Sequence, residues 1–277
     1  MTSKRQYSIA VLLPTRGRTD ALDRSVKSVI EQADNKDRVQ IMLGFDNDDT
    51  VGLDHIVNNL QPRLDHNKIN YTACGFERMG YTRLNEYVNE LAKQTDSDWL
   101  VFWNDDAIMQ TQGWDTVIAS YTGEFKLLAF HTHKDHPYSI FPIVPREWLD
   151  VTGYLCPHQI SDAWLSQQAY MLDIWQRIEV WVEHDRHDLT GNNNDQTFAG
   201  RQMLEGNPSD PRDFQHLHWR HIRHTDVDKL AAYMRGRGLD TTFWKNVLKG
   251  IQDPWEKLKA NDVNGQCQQY VIKYVSR

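Results

Sequence analysis

Cysteine is scarce in this sequence. Its three copies, Cys74, Cys156 and Cys267, stand far apart among 277 residues, and no CxxC pair occurs. That pattern excludes a disulfide framework and a thiolate zinc site, and a reducing, cytoplasmic setting is expected. No apolar run approaches transmembrane length, so no membrane insertion is expected. The opening MTSKRQYS leads into a short apolar stretch without a signal-peptide core. Internal repeats and low-complexity segments are missing too. So is a Gly-rich, basic phosphate loop of the kind typical of sugar nucleotidyltransferases, which counts against that class.

What is present describes an ordinary globular chain. Hydrophobic residues make up 40% and charged residues 25%, and this length can bury a sizeable core. Trp and Tyr are plentiful, with 10 and 11 copies. Flat rings stack on sugar faces and nucleobases, although most of these aromatics are expected in the core. The net charge of −7 is uneven: residues 216–277 carry 11 Lys and Arg against 6 Asp and Glu. A basic tail could meet a polyanion, but a charge excess of this size is more often just a solvated helical face.

Apolar runs and helical periodicities alternate along the first hundred residues. Ile9 to Pro14, Val39 to Phe45, Ile69 to Ala73 and Trp99 to Trp103 read as strands. Leu22, Val26, Val29 and Ile30 mark one helix, with Thr19 or Asp20 available as its cap, and Leu84, Val88, Leu91 and Ala92 mark another. Further on, residues 125–130, 140–144 and 178–182 read as strands and 162–176 as a helix. Beyond about residue 195 the pattern is helices and loops. The expectation is an α/β fold with a mostly parallel central sheet flanked by helices. In such sheets ligands bind beyond the carboxyl ends of the strands. Three of those ends carry Thr15-Arg-Gly-Arg18, Asp46-Asn-Asp-Asp49 and Asn104-Asp-Asp106.

Asn104, Asp105 and Asp106 follow an apolar strand directly, so the sheet holds their backbone while their oxygens are available. Mg²⁺ and Mn²⁺ favour such oxygens and often use one or two carboxylates plus substrate phosphates. A plain turn, with Asn and Asp capping backbone groups, is the simpler account of an isolated Asn-Asp-Asp. The three strand ends taken together argue for a site.

Ile9 to Arg18, Phe45 to Asp49 and Phe102 to Ala107, in this order and spacing, resemble the GT-A fold glycosyltransferases of the family 2 type. They match its opening strand and loop, its nucleoside-binding Asp and its DXD motif. Arg78-Met-Gly-Tyr-Thr-Arg-Leu-Asn85 stands where that family has a turn leading into a helix. The resemblance covers roughly residues 8 to 190, and the whole chain is also similar to glycosyltransferase-like proteins of T4-like marine phages. It implies a Rossmann-like GT-A domain over residues 1–215 with a helical C-terminal extension over 216–277. It implies a nucleotide-sugar donor, a UDP-sugar by default, and Mn²⁺ or Mg²⁺ as cofactor. Thr15 and Arg18 would lie near the nucleotide, Asp46 would hold the base or ribose, and Arg83 could reach a phosphate. Asp106, with Asn104 or Asp105, would hold the metal. The first DXD position is Asn here, a neutral ligand that still offers a carbonyl oxygen. Asp162 occupies the place of the family's general base; read alone, it is an N-cap residue. His184, with His187 as competitor, matches a histidine near the metal and pyrophosphate. The acceptor stays open between a hydroxymethylated base in phage DNA, which would place the enzyme in host cytoplasm, and a glycan, lipid-linked or protein acceptor.

Two histidine-rich stretches compete. His131-Thr-His133-Lys-Asp135-His136 fits the HxHxDH pattern of metallo-β-lactamase-type zinc hydrolases and also follows an apolar strand. Pro137-Tyr138 come next where that fold has glycines, and the three strand-end motifs would be left without a role. His216-Leu-His-Trp-Arg-His-Ile-Arg-His224 lacks a recognisable ligand scaffold and reads as a polar, partly structural segment. A non-catalytic binding module would keep an aromatic pocket without turnover.

Overall fold

The computed structural model describes residues 9–132, 136–184 and 210–262. Its centre is an eight-stranded sheet in the order β3-β2-β1-β4-β7-β6-β8-β5. The strands are β1 (Ile9–Thr15), β2 (Val39–Asp46), β3 (Asn70–Phe76), β4 (Trp99–Phe102), β5 (Ala107–Met109), β6 (Leu127–Thr132), β7 (Ile143–Pro145) and β8 (Trp175–His184). β1 shows why its sequence is uninterruptedly apolar. Ala10 and Leu12 enter one core cluster, while Ile9, Val11 and Leu13 enter the other on the opposite face. Both sides of the strand are covered, so both must be apolar.

On one face lie α1 (Thr19–Glu31), the helical run of α2 (Thr50–His55), a π-turn (Ile56–Leu60) and α3 (Gln61–His66), and α5 (Trp114–Ala119). On the other lie α4 (Leu84–Lys93), α6 (Arg146–Thr152), α7 (Ser161–Leu172) and α8 (Leu217–Gly236). Two short helices follow, α9 (Thr242–Leu248) and α10 (Glu256–Asn261). α8 buries Val227, Leu230, Ala231 and Met234, at spacings of three and four, in the same cluster as Trp148 and Trp164.

The sheet is mixed, not mostly parallel as expected. β3, β2, β1 and β4 run parallel, but β7 lies antiparallel between β4 and β6, and β5 lies antiparallel along β8. Strands buried on both faces read alike whichever way they run, so apolar patterning could not reveal the reversal. The N-cap of α1 is Arg18, one residue before the first anticipated cap, and it makes no side-chain capping bond, its side chain being engaged elsewhere. α7 ends at Leu172, short of the expected Gln176, because Asp173 turns into the left-handed region at φ 59°. Trp175 and Gln176 therefore open β8, which is longer than expected.

Candidate nucleotide and metal site

The sheet order places β1 between β2 and β4, all three parallel. The loop after β1 therefore sits between the acidic ends of its two neighbours, and its two arginines reach in opposite directions. Arg16 turns to β2, placing Nη1 2.8 Å from Asp46 Oδ2 and 2.5 Å from Asp48 Oδ1. Arg18 turns to β4, placing Nη2 2.5 Å from Asp105 Oδ1 and Nη1 3.3 Å from Asp106 Oδ2. Between them Gly17 adopts φ 67° and donates its N–H to Asp49 Oδ2 at 2.6 Å. A side chain there would strain this left-handed backbone. Asp49 Oδ1 also accepts from Gly52 N at 3.1 Å, capping α2.

On the β4 side, Asp105 is fully buried. Its Oδ2 accepts from Thr15 Oγ1 at 2.7 Å and from Arg18 Nε at 3.3 Å. Burial pushes its carboxyl up to about 6, against the opposing pull of Arg18. Asp106 has Oδ1 3.2 Å from His184 Nε2. Burial would raise its carboxyl too, but the His184 hydrogen bond and charge, with the Arg18 charge, outweigh this and hold it below the usual carboxylate range. Asn104 Nδ2 lies 3.4 Å from the same His184 nitrogen. β5 explains the meeting: it follows the Asn-Asp-Asp turn at once and pairs Ala107 with His184 at the end of β8. The Asn104 backbone is held from beneath, its carbonyl accepting from Ser25 Oγ, which in turn accepts from Trp103 Nε1.

On the β2 side, Tyr87 of α4 donates its hydroxyl to Asp46 Oδ1 and accepts from Met79 N at 2.8 Å. Burial, with the Asp46 bond, raises the Tyr87 phenol and keeps it a neutral donor.

Thr15, Arg18, Asn104, Asp105, Asp106 and His184 thus form one cluster, and Asp46 stands in a second, joined to it through the β1 loop. Arg83 lies apart from both, its guanidinium paired with Glu86 at 2.6 Å. Asp162 is in the first turn of α7, where its Oδ1 accepts from Ala163 N at 2.8 Å; Ile160, not Asp162, is the N-cap. His187 lies outside the described residues. Sequence reasoning missed Arg16, Asp49 and Tyr87. Arg16 could have been found, because adjacent loop positions flanking a glycine point to opposite sides. Tyr87 could not, since its reach to Asp46 depends on how α4 crosses β2.

The donor chemistry suits a hard cation. Asp105 Oδ1 and Asp106 Oδ1 are buried, the first 2.5 Å from Arg18 Nη2 and the second 3.2 Å from His184 Nε2. Among the described residues no group of three His, Cys, Asp or Glu side chains is gathered for a metal. The side chains that could hold a cation here are the Asp106 carboxylate and the His184 imidazole, with the Asn104 side-chain oxygen if that amide turns from His184; substrate phosphates commonly supply the remaining ligands of such a cation.

The sequence matches no family model and no curated protein. Solved structures do match. A mannosyltransferase from Pyrobaculum calidifontis, in complex with GDP-Man and Mn²⁺, aligns over 98% of this chain and 86% of its own, with a TM-score of 0.54 and 13% identity. TarS of S. aureus, residues 1–349 in complex with UDP-GlcNAc, aligns over 96% of this chain and 89% of its own, with a TM-score of 0.53 and 12% identity. This chain shares the GT-A fold of these structures. GalNAc-T7, with UDP, GalNAc and Mn²⁺, aligns over 66% of this chain and 44% of its own, with a TM-score of 0.50 and 11% identity. This GT-A fold gives the zinc-hydrolase reading no support. His131 stacks on Trp181, His136 Nδ1 accepts from Tyr138 N at 3.1 Å, and His133 and Asp135 lie outside the described residues. The second histidine stretch forms the start of α8, where Arg223 is buried against Trp164 and Phe214. No described helix is long and apolar enough to cross a membrane.

Proposed function

We propose that this chain is a metal-dependent glycosyltransferase that moves a sugar from a nucleotide sugar to a hydroxyl acceptor. The observation that carries this reading is the convergence of three strand-end motifs on one loop, with a carboxylate, an imidazole and an amide left together at its β4 side. Support comes from the GT-A fold, shared with solved structures that hold GDP-Man, UDP-GlcNAc, UDP and Mn²⁺.

In this reading Asp106, His184 and the Asn104 carbonyl hold Mn²⁺ or Mg²⁺. Such a cation, when bound, offsets the negative charge that grows on a departing nucleoside diphosphate. Asp105 works from below by fixing Thr15 and Arg18, whose hydroxyl and guanidinium line the phosphate path. Asp46, oriented by Tyr87 and Arg16, accepts from the base or ribose, and Arg83 meets a phosphate if it leaves Glu86. Asp162 takes the proton of the acceptor hydroxyl as that oxygen attacks the anomeric carbon, which gives inversion. The N-terminus of α7 favours its ionised form. Residues 1–215 form the catalytic unit and 216–277 the helical extension, in a cytoplasmic enzyme. A phage origin and a UDP-sugar donor are consistent with the sequence resemblance.

The test is incubation with UDP- and GDP-sugars in Mn²⁺, following nucleotide release. Release that is lost with EDTA and with Asp106→Ala is the expected result. Release unaffected by either would remove the metal from the mechanism.

A further inference from the structure

The outer strands carry an aromatic feature that the donor site leaves unused. Along β8, Ile178, Val180 and Val182 are buried, while Glu179, Trp181 and Glu183 alternate with them and face outward. Trp181 is 49% exposed, unusual for the largest side chain in a sheet. It is held in place rather than loose. Its backbone N–H donates to Thr111 Oγ1 at 2.8 Å and its backbone carbonyl accepts from Gln110 N at 3.0 Å. Its ring stacks on His131 of β6, with centroids 4.5 Å apart and planes 16° from parallel. The strand register pairs the same two residues.

The surroundings select among occupants. Glu179 and Glu183 flank the indole on either side along the strand, and Glu179 is almost wholly exposed. Gln110 Nε2 donates to Glu183 at 3.1 Å. Arg177, farther along the same face, is committed to the His136 carbonyl at 2.9 Å and to the Trp175 ring. A flat ring bordered by carboxylates suits a neutral, hydroxyl-rich ring: the apolar C–H face stacks, and hydroxyls donate to the carboxylates. A polyanion would meet like charge. This face also carries α7, since Trp175 of β8 stacks on Tyr170 of that helix. Asp162 is therefore on the same side of the sheet. Trp181 stands three residues before His184, about 10 Å along the strand and on the opposite face of β8.

We infer that the His131–Trp181 stack is an acceptor platform that binds a neutral oligosaccharide, so the acceptor is a glycan rather than DNA. The inference rests on the glycosyltransferase reading for its meaning, but its test does not. Calorimetric titration with neutral cello-, malto-, manno- and chito-oligosaccharides is compared for the intact protein, Trp181→Ala and Trp181→Phe. UDP and GDP with Mn²⁺ are titrated alongside. At least one oligosaccharide binds the unaltered protein; Trp181→Ala weakens it about tenfold or more, Trp181→Phe stays within about threefold, and nucleotide binding is unchanged in both. Failure of every oligosaccharide to bind overturns the platform, as does equal binding to Trp181→Ala. So does a fall from dimer to monomer on Trp181→Ala, which would make the ring a self-association contact. Salt-dependent binding of duplex DNA in place of sugar would overturn the choice of acceptor. Loss of nucleotide binding by the unaltered protein would sink the donor reading instead, leaving the sugar result to stand on its own.

Discussion

Asp106 faces the Arg18 guanidinium, Nη1 at 3.3 Å, and the His184 imidazole, Nε2 at 3.2 Å, so charge at this carboxylate is worth more than its volume. Asp106→Asn keeps the shape and removes the charge. The expected outcome is a loss of Mn²⁺ affinity of tenfold or more (an order-of-magnitude expectation for a direct ligand) with the thermal midpoint in EDTA little changed. Manganese titration by electron paramagnetic resonance reads the first quantity and calorimetry the second. Two other buried groups make stability depend on pH in opposite senses. Burial chiefly holds the His158 imidazole down at about 4, although its bond to the Arg212 carbonyl resists this. The unfolded chain therefore takes up a proton below about pH 6.5 that the native state refuses until about pH 4. Stability falls as pH drops through that window, by roughly 3 kcal/mol in all. Asp105, pushed up to about 6, binds its proton more readily in the native state. Its share of stability rises as pH drops from about 6 to about 4. Chemical denaturation from pH 7 to pH 4.5 should show His158→Gln losing less stability on acidification than the parent. Asp105→Asn should be the more stable protein at pH 7 and lose that advantage near pH 4. Parallel pH profiles for all three proteins would contradict both assignments.

At the level of elements, α8 is the piece whose removal should cost most. Val227, Leu230, Ala231 and Met234 pack into the core cluster that also holds Trp148 of α6 and Trp164 of α7. Tyr154 donates to Asp226 of the same helix at 2.9 Å. Leu230→Ala should cost about 2–5 kcal/mol, and a chain ending at residue 215 should be poorly soluble because the α6–α7 layer loses its cover; urea denaturation and expression yield check these. The elements also show what was legible beforehand. β1, β2, β4 and the apolar faces of α1 and α4 could be read because each has one uninterrupted signal, a two-sided apolar run or a spacing of three and four. The helical run Thr50–His66 was missed although Ile56, Leu60 and Leu64 recur at intervals of four and are buried; Gly52 and Pro62 within it read as loop signals. β5 was missed because three residues are too short to show a period. In the site, the acidic strand ends were visible because parallel strands discharge at the same edge. That the Asn-Asp-Asp turn would lie beside His184 was not derivable from spacing, since it depends on the β5–β8 pairing across more than seventy residues; it came from resemblance.

For the molecule as a whole, the site ties together parts that the two core clusters keep separate. Its side chains come from the ends of β1, β2, β4 and β8 and from α4, drawing on both faces of the sheet. A ligand bound there should therefore stabilise the whole fold rather than one loop. Anything that binds only the native state adds RT ln(1 + [L]/Kd), about 2.7 kcal/mol at a hundredfold excess over Kd. For a protein of this size that corresponds to a rise of several degrees in the thermal midpoint. UDP or GDP with Mn²⁺ should produce this rise, and the nucleotide with EDTA should produce much less, because the phosphates then face Asp105 and Asp106 without a bridging cation. Trp181→Ala should leave the rise intact, since that ring stands on the other face of β8. Asp106→Ala should abolish most of it while leaving the ligand-free midpoint near that of the parent. A rise of equal size in Asp106→Ala would mean that the nucleotide is held by the β2 side alone, through Asp46 and Arg16, and the cation would then have no part in donor binding.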